Sequence, residues 1–296
     1  MKTRGARFAL LGMVAAFVTI AASCTPPAPP PVQSFSFKAN SVFINSSNDK
    51  GVCAFGVCVP PDKDEPYVVN IAFKVTIGQA DAQTYVTEGA NHWPGLTAQG
   101  PQEGSSYTYQ VDNHGDEQGT VTIPDVPLLD IADLGSNGLV IAGVWSWAME
   151  ADLYSPGGIN SAANVLRDAL NTAFAGATLP SDTAGIVGMI LSTIGVGGAF
   201  SFLGANLGSI FFGDDAIGSR MYIGVGARGA LSDIIQSSVA GTTFPSLSIP
   251  AITVPPDING GAIFSLGAGA HTFNGQTMTN GGVSGQHTYS STFGPA

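Results

Sequence analysis

The sequence predicts a mainly β chain, an antiparallel β-sandwich with an α-helical insertion over roughly residues 155–212. Three observations carry this. Short runs rich in Val, Ile, Thr and aromatic residues recur on both sides of the middle, each closed by Gly, Pro or Asp, as in antiparallel rather than parallel sheets. One stretch between them, PGGINSAANVLRDALNTAFAGA, repeats its apolar residues at helical spacing. The composition, 44% hydrophobic with 39 glycines and 10% charged residues, can fill a core and supplies many turns.

The chain opens with Lys2, Arg4 and Arg7 ahead of FALLGMVAAFVTIAAS, an apolar run too short for a comfortable membrane span. Residues 1–23 therefore read as an export signal peptide. The step Ala21-Ala22-Ser23-Cys24 resembles the lipobox of bacterial lipoproteins, with Ala21 where that motif usually carries Leu. The resemblance implies that Cys24 becomes the mature amino terminus and is acylated on its thiol. The protein would then be anchored to the outer face of the cell membrane or to the cell surface; ordinary signal cleavage is the alternative. TPPAPPPVQ favours extended polyproline, so residues 24–34 read as anchor cysteine plus semi-rigid tether, and residues 35–296 as one domain.

Within that domain SFSFKANSVFI alternates as a half-buried strand does, and PYVVNIAFKVTIG is a β-branched run. Between them Cys53 and Cys58 in GVCAFGVCVP are the cysteines left once Cys24 is assigned. An exported chain favours a disulfide; a zinc site is the rival reading, but two thiolates without a nearby histidine leave it incomplete. NHWPG and GPQEGSS mark turns, after which YTYQV, TVTIPDV and LVIAGVWSWAME read as strands.

The helical stretch places Ile159, Ala162, Ala163, Leu166, Ala169, Leu170, Ala173 and Phe174 on one face, with Asn160 or Ser161 as cap and Gly176 near the stop. Residues 183–213 then run 31 positions without a charge. One reading is a membrane-inserting helix or hairpin, helped by Gly204 and Gly208 at close-packing spacing. The other is a buried helix from Ala184 to about Ile194 and a Gly-rich loop, which glycines at 195, 197 and 198 favour. Beyond them MYIGVGARG reads as a strand, ALSDIIQSSV as a short helix or strand, and the proline-cut remainder as Gly-turned strands.

Charge narrows the function classes. Ten basic residues, three of them in the signal, cannot neutralise many phosphates, so nucleic acid is excluded as a partner. A net charge of -11 would also repel an anionic envelope unless divalent cations bridge the two.

Catalytic motifs are sparse. GVGARG at 224–229 fits the dinucleotide pattern G-x-G-x-x-G, yet SIPAIT stands where the ribose-binding acid belongs. G-x-S-x-G and H-E-x-x-H do not occur, and His92, His114, His271 and His287 sit in separate turn-rich stretches. No catalytic residue is assigned, and an envelope hydrolase assembled by folding is kept as an alternative.

Acidic residues group more tellingly. Hard cations such as calcium take six to eight oxygens, delivered by several short acidic stretches. Asp62, Asp64 and Glu65 precede the strand PYVVNI, Glu150 and Asp152 follow VWSWAM, and Asp214 and Asp215 precede another strand. Glu65-Pro66-Tyr67-Val68, Glu150-Ala151-Asp152 and Asp214-Asp215-Ala216-Ile217-Gly218 together resemble the calcium loops of the synaptotagmin and protein-kinase-C type of lipid-binding β-sandwich domain. About 60 residues separate the second and third motifs here, where that family has a handful. The resemblance implies calcium held by Asp64 or Glu65, Glu150, Asp152 and Asp215, with Asp62 and Asp214 as further ligands, and an anionic phospholipid partner.

The sequence thus leads to an envelope lipoprotein acting as a non-catalytic, calcium-supported binding module for a lipid, glycan or protein ligand. A membrane-inserting or pore-forming protein using residues 183–213 is the alternative from another class.

Overall fold

A computed structural model describes residues 28–46, 53–54, 57–58, 66–86, 106–108, 120–134, 138–150, 156–194, 215–240, 243–244, 246, 257–279 and 288–294. The chain divides after Pro30, and every element named below belongs to the unit Pro31–Ala296. The protein is mainly β, with thirteen strands and three α-helices among the described residues.

Six strands form a central sheet. They are β4 (Pro66–Thr76), β5 (Gln83–Val86), β8 (Val140–Glu150), β9 (Asp215–Val225), β10 (Thr243–Phe244) and β11 (Ile258–Ser265), in the order β10-β11-β9-β8-β4-β5. A second sheet has the order β12-β13-β1-β6, built from β12 (Phe273–Thr279), β13 (Thr288–Gly294), β1 (Val32–Ser46) and β6 (Ser106–Thr108), with β7 (Thr120–Pro127) also on β1. The short strands β2 (Cys53–Ala54) and β3 (Val57–Cys58) pair with each other. Strand β1 opens at Val32, so the sheet reaches three residues into the expected tether.

Helices α1 (Pro156–Phe174) and α2 (Thr183–Ile194) lie between β8 and β9 in the chain, and α3 (Gly229–Val239) between β9 and β10. All three pack on one face of the central sheet. There Ile71 and Phe73 of β4, Trp145 and Trp147 of β8 and Ile223 of β9 share a cluster with Leu166 and Phe174 of α1, Ile190 of α2 and Ile235 of α3. The opposite face presents Val68, Ala72, Val144 and Tyr222 to Phe37, Val42 and Ile44 of β1 and Ile123 of β7.

This layering explains the texture of the sequence. Central strands covered on both faces read as near-continuous apolar runs, whereas β1, with one covered face, alternates. Fully buried Leu, Ile or Phe side chains contribute about 1.5–3 kcal/mol each, which is ample for two such clusters. Trp145 and Trp147 meet edge to face at 4.7 Å, and Trp145 Nε1 donates to Ser219 Oγ at 2.9 Å, so the polar tip of a buried ring is satisfied. Gly143 stands opposite Phe73 across β8 and β4, and a Cβ there would lie 2.4 Å from the Phe73 ring; the missing side chain makes room for the aromatic one.

One expectation is corrected and one alternative is settled. Strand β9 runs parallel to β11, with Ile223 beside Ile263 and Val225 beside Ser265, so the sheet is mixed rather than wholly antiparallel. The segment ALSDIIQSSV, left open between helix and strand, is the helix of the crossover between β9 and β11. It buries Leu231, Ser232, Ile235 and Val239 at helical spacing, and parallel strands need a crossover of this kind.

Helix α2 covers Thr183–Ile194 and buries Ile186, Val187 and Ile190, while Ala184, Gly188 and Ser192 face outward. Asp182 accepts from the Gly185 amide at 2.8 Å and so caps its start. No helix among the described residues is long and apolar enough to cross a membrane. The rest of the uncharged run, including Gly204 and Gly208, lies outside the described residues.

Candidate functional site

Two of the expected acidic residues, Glu150 and Asp215, stand at one end of the central sheet. Pro66, the first residue of β4, is the register partner of Glu150, the last of β8, and Glu150 is in turn the partner of Asp215, the first of β9. Glu150 closes the run LVIAGVWSWAME as the last strand residue, and Asp215, expected just before a strand, is the first residue of one. A register shift between Ala148 and Met149 carries the β8–β9 ladder out to this last pair. Asp62, Asp64, Glu65, Asp152 and Asp214 lie outside the described residues. Among the described residues no group of three or more His, Cys, Asp or Glu side chains converges as a metal site.

Of the cysteines, Cys24 is outside the described residues. Cys53 and Cys58 are direct register partners in the β2–β3 hairpin. Directly opposed residues in antiparallel strands stand about 4.5–5.5 Å apart at Cα, inside the span a disulfide bridges.

The other end of the central sheet carries a cavity of about 370 Å³. It opens where β9 and β11 finish, some ten residues along β9 from Asp215, or about 33 Å at strand rise. Its walls come from four distant segments: Gln33–Phe37 of β1, Leu128, Arg228, and Phe264–Phe273 around the 3-10 turn Leu266–Ala268. Strand β13 finishes its ladder with Gly294 opposite Lys38, and the cavity flanks the part of β1 that precedes this pair.

Aromatic rings dominate the lining. Phe264 stands 5.9 Å from Phe35, 5.7 Å from Phe273 and 4.5 Å from His271 between ring centres. His271 and Phe273 are nearly parallel at 11°. Beneath them Tyr222 packs against Phe37 at 4.9 Å and Phe273 at 4.6 Å. Nε2 of His271 lies 3.2 Å from the Ser265 carbonyl. A carbonyl only accepts, so that nitrogen carries the hydrogen and Nδ1 of the neutral ring is an acceptor.

Arg228 is the charged residue of the lining, and it is held from two sides. Its Nε donates to the Leu128 carbonyl at 3.0 Å and its Nη2 to Asp133 Oδ2 at 2.9 Å. Asp133 Oδ2 also accepts from the Asp130 amide at 2.8 Å. That amide hydrogen bond, and after it the Arg228 guanidinium, hold the Asp133 carboxyl below the usual carboxylate range.

The same residues settle the GVGARG motif. It does lie between a strand, β9, and a helix, α3, as a dinucleotide site requires. The helix start is already covered by a carboxylate of the chain itself: Asp130 Oδ1 lies 3.5 Å from the Leu231 amide, and a Cβ on Gly229 would sit 2.4 Å from Asp130 Oδ2. Gly229 has φ of 55°, a conformation that favours glycine. Its glycines serve close packing and the turn, and the Asp130 carboxylate lies against the helix start where an anion would have to approach.

Deeper in the sheet, Arg220 and Tyr222 lie side by side on β9. Burial pushes the Tyr222 hydroxyl far above its ordinary pKa of 10.0, an effect the Arg220 charge only partly offsets. Burial likewise lowers the Arg220 guanidinium, whose Nη1 donates to the Thr277 carbonyl at 2.7 Å.

The sequence reading missed the cavity. Phe35 and Phe37 read as ordinary strand residues, and His271 as a loop histidine. The available signal was Arg228, a cation inside a strand-to-helix turn of a chain poor in cations. Comparison with protein-family models, curated proteins and solved structures finds no match.

Proposed function

We propose that this protein is a lipid-anchored binding module of the bacterial cell envelope: a β-sandwich of mainly antiparallel strands with a helical insertion that uses calcium at one sheet end to hold an anionic lipid, glycan or protein ligand. It is not an enzyme in this reading. Cys24 carries the lipid, the proline run spaces the domain from the surface, and Cys53 and Cys58 close a disulfide. The shared hydrophobic cluster between the two sheets supports the sandwich, and the position of α1 and α2 between β8 and β9 supports the insertion.

One observation carries the cation reading: Pro66, Glu150 and Asp215 stand in register on three neighbouring strands. Three acidic stretches separated by some 150 residues of sequence thereby start from one sheet end. Like charges opposite one another weaken a sheet, and a divalent ion shared between them reverses that effect. Calcium would order the acidic loops and keep a coordination position open for an anionic ligand. Thermal melting of the mature chain tests this: calcium should raise Tm by several degrees, and the double variant Glu150→Gln, Asp215→Asn should remove the rise. Equal Tm with calcium and with chelator would refute it.

A further inference from the structure

We infer that the cavity at the far end of β9 is a binding site for a small aromatic carboxylate. It stands independently of the cation reading, since none of its lining residues belongs to the acidic sheet end.

Size and wall chemistry come first. At about 370 Å³ the cavity falls in the range of sites that enclose small organic ligands. Phe35, Phe264, Phe273 and His271 surround it with ring faces and edges at stacking distances, which select a flat apolar body.

Charge then fixes the sign. In a chain of net charge -11 no carboxylate lines this cavity among the described residues, and the charged side chain there is Arg228. Among the described lining residues an organic cation would meet no carboxylate, whereas an anion would meet the Arg228 guanidinium. Arg228 is also pre-oriented, because Leu128 and Asp133 take its Nε and one Nη2 hydrogen. Among the described residues its Nη1 makes no hydrogen bond, so the guanidinium retains donors for a carboxylate. A guanidinium fixed before the ligand arrives loses little side-chain freedom on binding.

His271 adds a polar preference. In the tautomer that directs Nε2–H to the Ser265 carbonyl, Nδ1 is the acceptor for a ligand hydroxyl. The favoured ligand is therefore a ring bearing a carboxylate, with a hydroxyl as a further handle.

Calorimetric titration of the mature chain with 4-hydroxyphenylacetate, its neutral amide, and tyramine as the cationic counterpart tests this. The acid should bind about tenfold or more tighter than the amide, the size expected for a charge-assisted hydrogen bond, and tyramine should bind weakest. Arg228→Gln should bring the acid to the level of the amide, while Phe35→Leu should weaken acid and amide alike. Amide-proton NMR shifts on adding the acid should centre on residues 33–37 and 264–273. Should Arg228→Gln fail to fold, the ligand series and the Phe35→Leu variant still decide. Equal binding of acid and amide, preference for tyramine, shifts centred elsewhere, or no heat with any of the three at millimolar concentration would overturn the assignment.

Discussion

Glu150 and Asp215 are partners in the last register pair of β8 and β9. Two carboxylates at opposed positions cost a sheet about 0.2–1 kcal/mol when no ion lies between them. Asp215→Asn should therefore stabilise the calcium-free protein by about that amount, or roughly 0.5–4 °C in Tm for a domain of this size. Melting in chelator measures it, and a drop in Tm would mean that Asp215 makes a stabilising contact instead.

Cys53 and Cys58, register partners, bracket a stretch of six residues counting both ends. The loop-entropy relation gives a disulfide of that span about 2 kcal/mol. In a Cys24→Ser background, thiol titration of the unfolded, unreduced protein should find no free thiol. Adding Cys53→Ser should expose one thiol and lower stability by about that amount. Two free thiols before reduction would remove the bridge.

The burial of Tyr222 gives a signed pH dependence. Its folded-state pKa lies above the unfolded value near 10, so the neutral phenol stabilises the fold fully below that pH and progressively less as pH rises above it. Denaturant midpoints should fall between pH 10 and 12, and Tyr222→Phe should flatten that fall. A variant as alkali-sensitive as the wild type would assign the effect to other groups.

The place of Asp130 over the start of α3 makes a coupling measurable. Gly229→Ala adds strain at positive φ and a collision with the Asp130 carboxylate, costing about 1–3 kcal/mol. Asp130→Ala alone should cost about 1 kcal/mol as a lost cap. The double variant should be less damaged than the two effects added together, since the collision is gone and only the backbone strain remains. Additive costs would mean that Asp130 does not contact this turn.

Which parts of this architecture could be read from the sequence follows from where the information sits. β4, β8 and β9 are apolar runs whose cause, burial on both faces, is local to each strand, so their existence was legible. Of the acidic residues expected around them, Glu150 and Asp215 share a sheet end, and β9 begins one residue earlier than its motif suggests, at Asp215. The parallel pairing of β9 with β11 was not legible: ALSDIIQSSV is short enough to suit either element, and only the crossover it makes decides between them. The cavity was hidden for a different reason. Phe35, Arg228, Phe264 and His271 come from three regions of the chain, and nothing in any one stretch marks their meeting.

The most direct measurement for the cation site is calorimetric titration of the metal-free mature chain with calcium alone. The expected result is saturable binding that disappears in the Glu150→Gln, Asp215→Asn variant, with that variant retaining the wild-type fold by circular dichroism. No calcium binding by the wild-type chain, or undiminished binding by the folded variant, would contradict it.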